Sequence, residues 1–327
     1  MPALLIYIPT YNRCHSLRLC VERILAEING LESEVVIHVS DNHSPDETPQ
    51  YLESIQHPCL QWSRNDSNIG GALNVIKVHS LSHLADFTFI LGDDDFLLKG
   101  SIRRLVSAIR GNPDIDFFFL NTLAYAANRL AEVINKLYDS GWADPPAGGT
   151  MKSSHTTDTR CLLSDLFSPG VDEVLGGSMM CFSFRSKLVS DHIAQLIKPA
   201  DQGTTVSSYP MYSSYPHTLN WIYSLTPQTP SAFMAQPFTI NFWHGGKEWG
   251  KLGYHRVVAE GLGFVLFEQM RLGYVNPSQF DEYLKHYLNI SRASILMLLS
   301  EAEKNPDVAI SPEFKNRLIR VLLGERN

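Results

Sequence analysis

Ala3-Leu4-Leu5-Ile6-Tyr7-Ile8-Pro9-Thr10-Tyr11-Asn12-Arg13 opens the chain with an unbroken apolar run that ends in a proline, a hydroxyl, a phenol, an amide and a guanidinium. No polar residue alternates within the run. It therefore suits a strand buried on both faces, as at the centre of a parallel sheet. The polar end is the carboxyl end, where open α/β sheets collect their ligands. Downstream, Leu17, Val21, Ile24, Leu25 and Ile28 recur at helical spacing, and Asn29-Gly30 supplies a stop. Val35 to Val39 reads as the next strand and runs into Ser40-Asp41-Asn42-His43-Ser44-Pro45-Asp46, a turn cluster in which Asp46 is placed to cap a short helix.

The alternation continues to residue 121. Leu60 to Ser63, Phe87 to Leu91 and Phe117 to Leu120 read as strands, and Gly71 to Ser80 and Ser101 to Ile109 as helices. This is the pattern of βαβ units on a mainly parallel sheet flanked by helices, an α/β fold. From Asp139 to Arg160 the composition turns to Gly, Pro, Ser and Thr, which predicts a long loop, of the kind that forms a lid, a binding loop or a disordered segment. Ser178 to Phe184 reads as a further strand, Lys187 to Ile197 as a helix and Ala200 to Pro216 as a second long loop. After Lys251 helix follows helix, so the expected division is a domain of residues 1–250 and a helical C-terminal region, 251–327.

Composition narrows the function. The 327 residues carry 27 Lys and Arg against 34 Asp and Glu, a net charge of −7 that disfavours nucleic acid as a partner. Five scattered cysteines have no CxxC spacing, and no apolar run reaches the roughly 18 residues of a membrane span. With no basic-then-apolar leader before Pro9, the expectation is a reduced, cytoplasmic protein.

Four strand-end segments carry chemistry. Ile90-Leu91-Gly92-Asp93-Asp94-Asp95-Phe96 sets three carboxylates at the end of a strand too apolar for the surface, and their repulsion is costly unless a cation joins them. Hard oxygen ligands of this kind suit Mg²⁺ or Mn²⁺, which bridge one or two carboxylates to phosphates. The plain alternative is a solvated acidic turn before the helix at Ser101. Pro9 to Arg13 could hold a nucleotide on backbone amides and Thr10, with Arg13 near phosphate, or Asn12 or Ser16 could merely cap a helix. Asp41 could accept from a base or ribose, or form an Asx turn. In Asn68-Ile69-Gly70-Gly71-Ala72-Leu73-Asn74 the glycine pair lets backbone approach a ligand, and a tight loop-to-helix turn explains it equally well.

In order and spacing these four segments resemble the motifs of GT-A fold, family 2 glycosyltransferases, well over roughly residues 3 to 125 and more faintly to about 250. Leu91-Gly92-Asp93-Asp94-Asp95 is most similar to the sugar transferases of bacterial surface-polysaccharide assembly, the abequosyltransferase-like group. The resemblance implies a nucleotide-sugar donor over the strand ends, held by Pro9, Thr10, Tyr11, Asn12, Arg13, Asp41, Asn68, Gly71, Asn74, Asp93 and Asp94. It implies a divalent metal, Mn²⁺ or Mg²⁺, on Asp95 and Asp94, with His244 of the ring-rich Asn241-to-Trp249 segment completing the shell. It also implies a saccharide or lipid-linked saccharide acceptor.

The sequence departs from the family in one place. Where family 2 enzymes often carry a Glu-Asp pair it has Tyr215-Pro216-His217-Thr218, so His217 becomes the candidate base, with Asp172 and Glu173 as rivals. That missing pair keeps open a non-catalytic saccharide-binding protein on the same fold. A sugar-phosphate nucleotidyltransferase is the other alternative, although Pro9-Thr10-Tyr11-Asn12 stands where such enzymes have a glycine-rich loop. The last helix sets Phe314, Leu318 and Leu322 on one face with Lys315, Arg317 and Arg320 around them, as in a short helix lying on the inner membrane surface; docking on the body or on a second subunit of a homo-oligomer is the alternative.

Overall fold

The computed structural model describes residues 1–167, 179–188, 222, 224–243, 263–285, 296, 300 and 312–323. Its frame is a 10-stranded sheet in the order β3-β2-β1-β4-β9-β6-β10-β5, with β7 beside β6 and β8 beside β10. The first four of these, β1 (Leu4–Thr10), β2 (Val35–Asp41), β3 (Leu60–Arg64) and β4 (Phe87–Ile90), pair in parallel. As the apolar run requires, β1 lies between β2 and β4 and Leu4 to Ile8 are fully buried. β9 (Phe182–Arg185) runs antiparallel between β4 and β6 (Phe117–Ala126), and β10 (Pro230–Trp243) is parallel to β6. β5 (Phe96–Leu97), β7 (Thr150–Met151) and β8 (Thr159–Leu162) are antiparallel additions.

The helices are α1 (Cys14–Glu27), α2 (Thr48–Ser54), α3 (Gly71–Ile76), α4 (Ser101–Gly111) and α5 (Leu130–Asp139), then α6 (Gly263–Arg271), an unlabelled helix over 277–285, and α7 (Pro312–Leu323). The expected Gly71-to-Ser80 helix is α3 only as far as Ile76, and a 3-10 turn continues it over Lys77–Leu81. The expected Ser178 strand starts later, at Phe182, after a 3-10 turn at Met179–Cys181.

Three further expectations are corrected. Neither Asn12 nor Ser16 caps α1. Instead Asp46 accepts from the Cys14 amide at 2.9 Å and from the Thr48 amide at 3.1 Å, so one carboxylate from the turn after β2 starts both α1 and α2. The strand at Phe117 does not stop at Leu120. Asn121 and Thr122, polar and fully buried, continue it because the Asn121 amide donates to the carbonyls of Ser153 and Ala235 and Thr122 Oγ1 lies 2.8 Å from Thr239 Oγ1. The loop after Asp139 is docked on the body, not disordered: the Lys99 amide donates to the Trp142 carbonyl at 2.9 Å, the Trp142 ring is buried with the Arg23 guanidinium 5.1 Å above it, and Tyr125 and Arg129 donate to the carbonyls of Pro146 and Ala147.

Among the described residues no helix is long and apolar enough to cross a membrane. Leu318 and Val321 of α7 are buried within the main hydrophobic cluster. Arg317 donates to Asp281 at 3.0 Å and lies over the Phe280 ring. Phe314 and Leu322 have side chains outside the described residues.

Candidate active site

The strand order 3-2-1-4 reverses direction at β1, and the crevice at such a reversal is where open sheets bind ligands. Both strands at that point end in the polar segments singled out above. β1 delivers Thr10 and Arg13; β4 delivers Gly92 to Asp95. Thr10 Oγ1 donates to Asp93 Oδ2 at 2.7 Å, and Arg13 donates to Asp93 Oδ1 at 2.9 Å and to Asp94 Oδ2 at 3.3 Å. Part of the counter-charge that three adjacent carboxylates demand is therefore the Arg13 guanidinium, and not a metal ion alone. Burial pushes the Asp93 carboxyl above the usual range, and Arg13 opposes that shift. The same carboxylates hold Arg13 firmly protonated against its own burial.

Asp95 is buried, and its Oδ1 accepts from Asn241 Nδ2 at 2.7 Å. Its Oδ2 turns over Gly92, lying 2.5 Å from where a Cβ on that glycine would sit, while Asp94 Oδ1 lies 3.2 Å from the same point. Two carboxylates thus converge on a cradle that any side chain at position 92 would fill. Among the described residues no group of three His, Cys, Asp or Glu side chains meets at one point. Hard oxygens from two carboxylates fit Mn²⁺ or Mg²⁺, whose remaining positions water and phosphate oxygens commonly take.

Register sets the next row. Thr10 pairs with Asp41 across β1 and β2, and Asp41 with Arg64 across β2 and β3. Asp41 has no exposed surface; its Oδ1 accepts from the Ser44 amide at 2.9 Å and its Oδ2 lies 3.2 Å from Arg64 Nε. Pro9 pairs with Ser40. Tyr11 projects outward, 39% exposed, and Asn12 holds φ +54 with its amide donating to Ser44 Oγ.

Behind this row the asparagines brace one another. Asn74, buried within α3, donates to the Ser40 carbonyl at 2.9 Å and accepts from Ser40 Oγ and Asn65 Nδ2, while its own carbonyl accepts from Tyr7. Asn68 Oδ1 accepts from Asn42 and from the Gly70 amide. Gly70, at φ +87, makes the turn into α3; a Cβ on Gly71 would meet nothing within 4 Å. Asp172, Glu173, His217 and His244 lie outside the described residues.

The sequence reading assigned no part to Arg64, Cys20 or Asn241 individually. Cys20 sits beneath the acidic turn, its Sγ 3.7 Å from the Gly92 carbonyl, with its thiol pushed well above the usual range by burial and by the three aspartates. Arg64 had a signal in its place at the end of the third strand. Asn241 opens the ring-rich segment, but its place on a strand is not legible, because Pro237 interrupts the β10 pattern.

Residues 5–139 match the family model described as glycosyl transferase family 2. No curated protein matches the sequence. Among solved structures, residues 1–349 of S. aureus TarS in complex with UDP-GlcNAc superimpose with a TM-score of 0.59 at 13% identity, covering 98% of this chain and 79% of that one. A second structure of TarS 1–349 gives 0.59 at 13% identity over 98% and 80%, and the longer S. aureus TarS gives 0.55 at 13% identity over 88% and 43%. At this identity the likeness is one of fold. The chain has the GT-A fold, a mainly parallel α/β sheet flanked by helices with further helices at the C-terminal end.

Proposed function

We propose that the chain is a metal-dependent glycosyltransferase that moves a sugar from a nucleotide-sugar donor to a saccharide or lipid-linked saccharide acceptor. The observation that carries this reading is the meeting of Thr10, Arg13 and Asp93 to Asp95 at the reversal of strand order, with Asp41 in the adjoining row. The family match over residues 5–139 supports it. The base and ribose lie by Thr10, Tyr11 and Asp41, with the buried Asp41 carboxylate bracing that row through Ser44 and Arg64. Asp94 and Asp95 would hold a divalent cation, which would supply the charge that makes the diphosphate a competent leaving group. Arg13 is close enough to add its charge to the same phosphates. His217 is the proposed base for the acceptor hydroxyl, with Asp172 and Glu173 as rivals, and transfer to that hydroxyl inverts the anomeric centre.

The finer assignment is a hexosyl- or deoxyhexosyltransferase of the abequosyltransferase-like group, working in the cytoplasm on surface polysaccharide. For α7 the contacts of Arg317, Leu318 and Val321 favour a helix docked on the body over one lying on lipid.

The test is release of nucleoside diphosphate from UDP-, GDP-, CDP- and dTDP-sugars with Mn²⁺. UDP-GlcNAc is the first donor to try because TarS, the fold relative, was crystallised with it. One donor should turn over, EDTA should stop it, and Asp95→Ala should abolish it in a folded protein. His217→Ala should slow transfer about 10²- to 10⁴-fold with donor binding kept. A folded protein that turned over no donor would point to the non-catalytic saccharide binder, and turnover indifferent to EDTA would remove the metal.

A further inference from the structure

The strand that carries the donor to Asp95 is built in an unusual way. β10 follows β6 in register from Ser231 to Met234, slips, and resumes at Thr239 opposite Thr122. The slipped residues have their own partners: Asp158 accepts from the Ala235 amide at 2.7 Å, and the Phe238 carbonyl accepts from Ser101 Oγ and the Leu98 amide. Bulges of this kind re-aim the residues that follow them and gather beside active sites. Here the re-aimed stretch pairs antiparallel with β5, Ile240 against Phe96 and Thr239 against Leu97, and the next step in that register sets Asn241 against Asp95. The side chains follow the backbone, Asn241 Nδ2 reaching Asp95 Oδ1 at 2.7 Å.

We propose that Asn241 is a positioning residue for the cation: by donating to Oδ1 it holds the Asp95 carboxylate in the orientation that turns Oδ2 toward Asp94 over the bare Gly92. The inference rests on the metal reading above and goes beyond it, since it assigns the orientation of a ligand to a strand outside the segment that matches the family model. The choice of an amide is chemically specific. A lysine or arginine at this position would orient the carboxylate equally well but cancel the negative charge that draws a cation; an aspartate would repel it; an amide orients and leaves the charge in place. Outer partners that orient metal-binding carboxylates commonly matter 10- to 100-fold for affinity.

The experiment is Mn²⁺ binding to the full chain, followed through the electron paramagnetic resonance signal of free Mn²⁺, alone and with UDP, for the native protein, Asn241→Leu and Asp95→Ala. Thermal melts control for folding, and Asn241→Ala replaces the leucine variant if the latter is unfolded. The expected result is loss of binding in Asp95→Ala, about tenfold weaker binding in the Asn241 variant, and an intact fold in both. If Asp95→Ala loses Mn²⁺ while the Asn241 variant binds it as the native protein does, Asn241 is only a strand contact and the inference falls alone. Binding unchanged in both variants would take down the metal reading, and the inference with it.

Discussion

Gly92 shows how much can hang on one missing methyl. Adding a Cβ would bring it within 2.5 Å of Asp95 Oδ2, and because the obstacle is the tip of a short side chain, the carboxylate can yield where a backbone could not. Gly92→Ala should therefore cost about 1 kcal/mol or less in stability and yet weaken Mn²⁺ binding at least as much as loss of the Asn241 contact does. Denaturant melts beside Mn²⁺ titration would check it; equal, small effects on both would mean that the Asp95 carboxylate can sit elsewhere without harm. Much of this neighbourhood was legible in the sequence. Three acids after a buried strand have to be balanced, and the reading of Thr10, Asp41 and Asp93 to Asp95 as strand-end groups follows from that and from the position of strand ends. The supply of balancing groups was not legible: Arg13 sits 80 residues from Asp93 and Asn241 sits 146 from Asp95, distances over which no local pattern speaks.

Among the elements, β6 and β10 were the least legible, for reasons of chemistry. A strand that places Asn and Thr in the core looks finished at the first polar residue, and a strand with proline inside it looks like a loop. Both are rescued by partners from elsewhere. Asn121 donates to Ser153 and Ala235 and accepts from the amides of Thr122 and Ser153, so it stitches β6, the slipped part of β10 and the chain after β7 together. Asn121→Ala should destabilise the protein by about 2–4 kcal/mol, since several buried backbone groups lose their partner at once. A urea midpoint within error of the native value would show that water enters and replaces them. By contrast β1, β2, β4, α1 and α4 were readable from apolar runs and helical spacing, because most of the side chains they bury are apolar.

At the scale of the whole molecule, one buried histidine ties stability to pH. His38 on β2 stacks on Tyr7 at 5.9 Å between ring centres, with Nε2 3.0 Å from Ser63 Oγ, and burial together with the nearby Lys77 pulls its pKa down from 6.5 to about 4. Between those values the unfolded chain binds a proton that the native state refuses, so stability falls as the pH drops from about 6.5 to about 4. The loss is at most about 3 kcal/mol from this group, and His38→Gln should flatten that part of a stability-against-pH curve. A curve of unchanged slope would mean that His38 ionises in place. The strand order has a consequence in time as well. β4 ends at Ile90, but its neighbour β9 starts only at Phe182, and β6 waits for the same strand. At a synthesis rate of about 5–20 residues per second, the open edges of both strands face the ribosome's surroundings for on the order of 10 s. A nascent chain in that interval has the acidic turn but neither β9 nor Asn241, so its unpaired strand edges stand open to pairing with another chain.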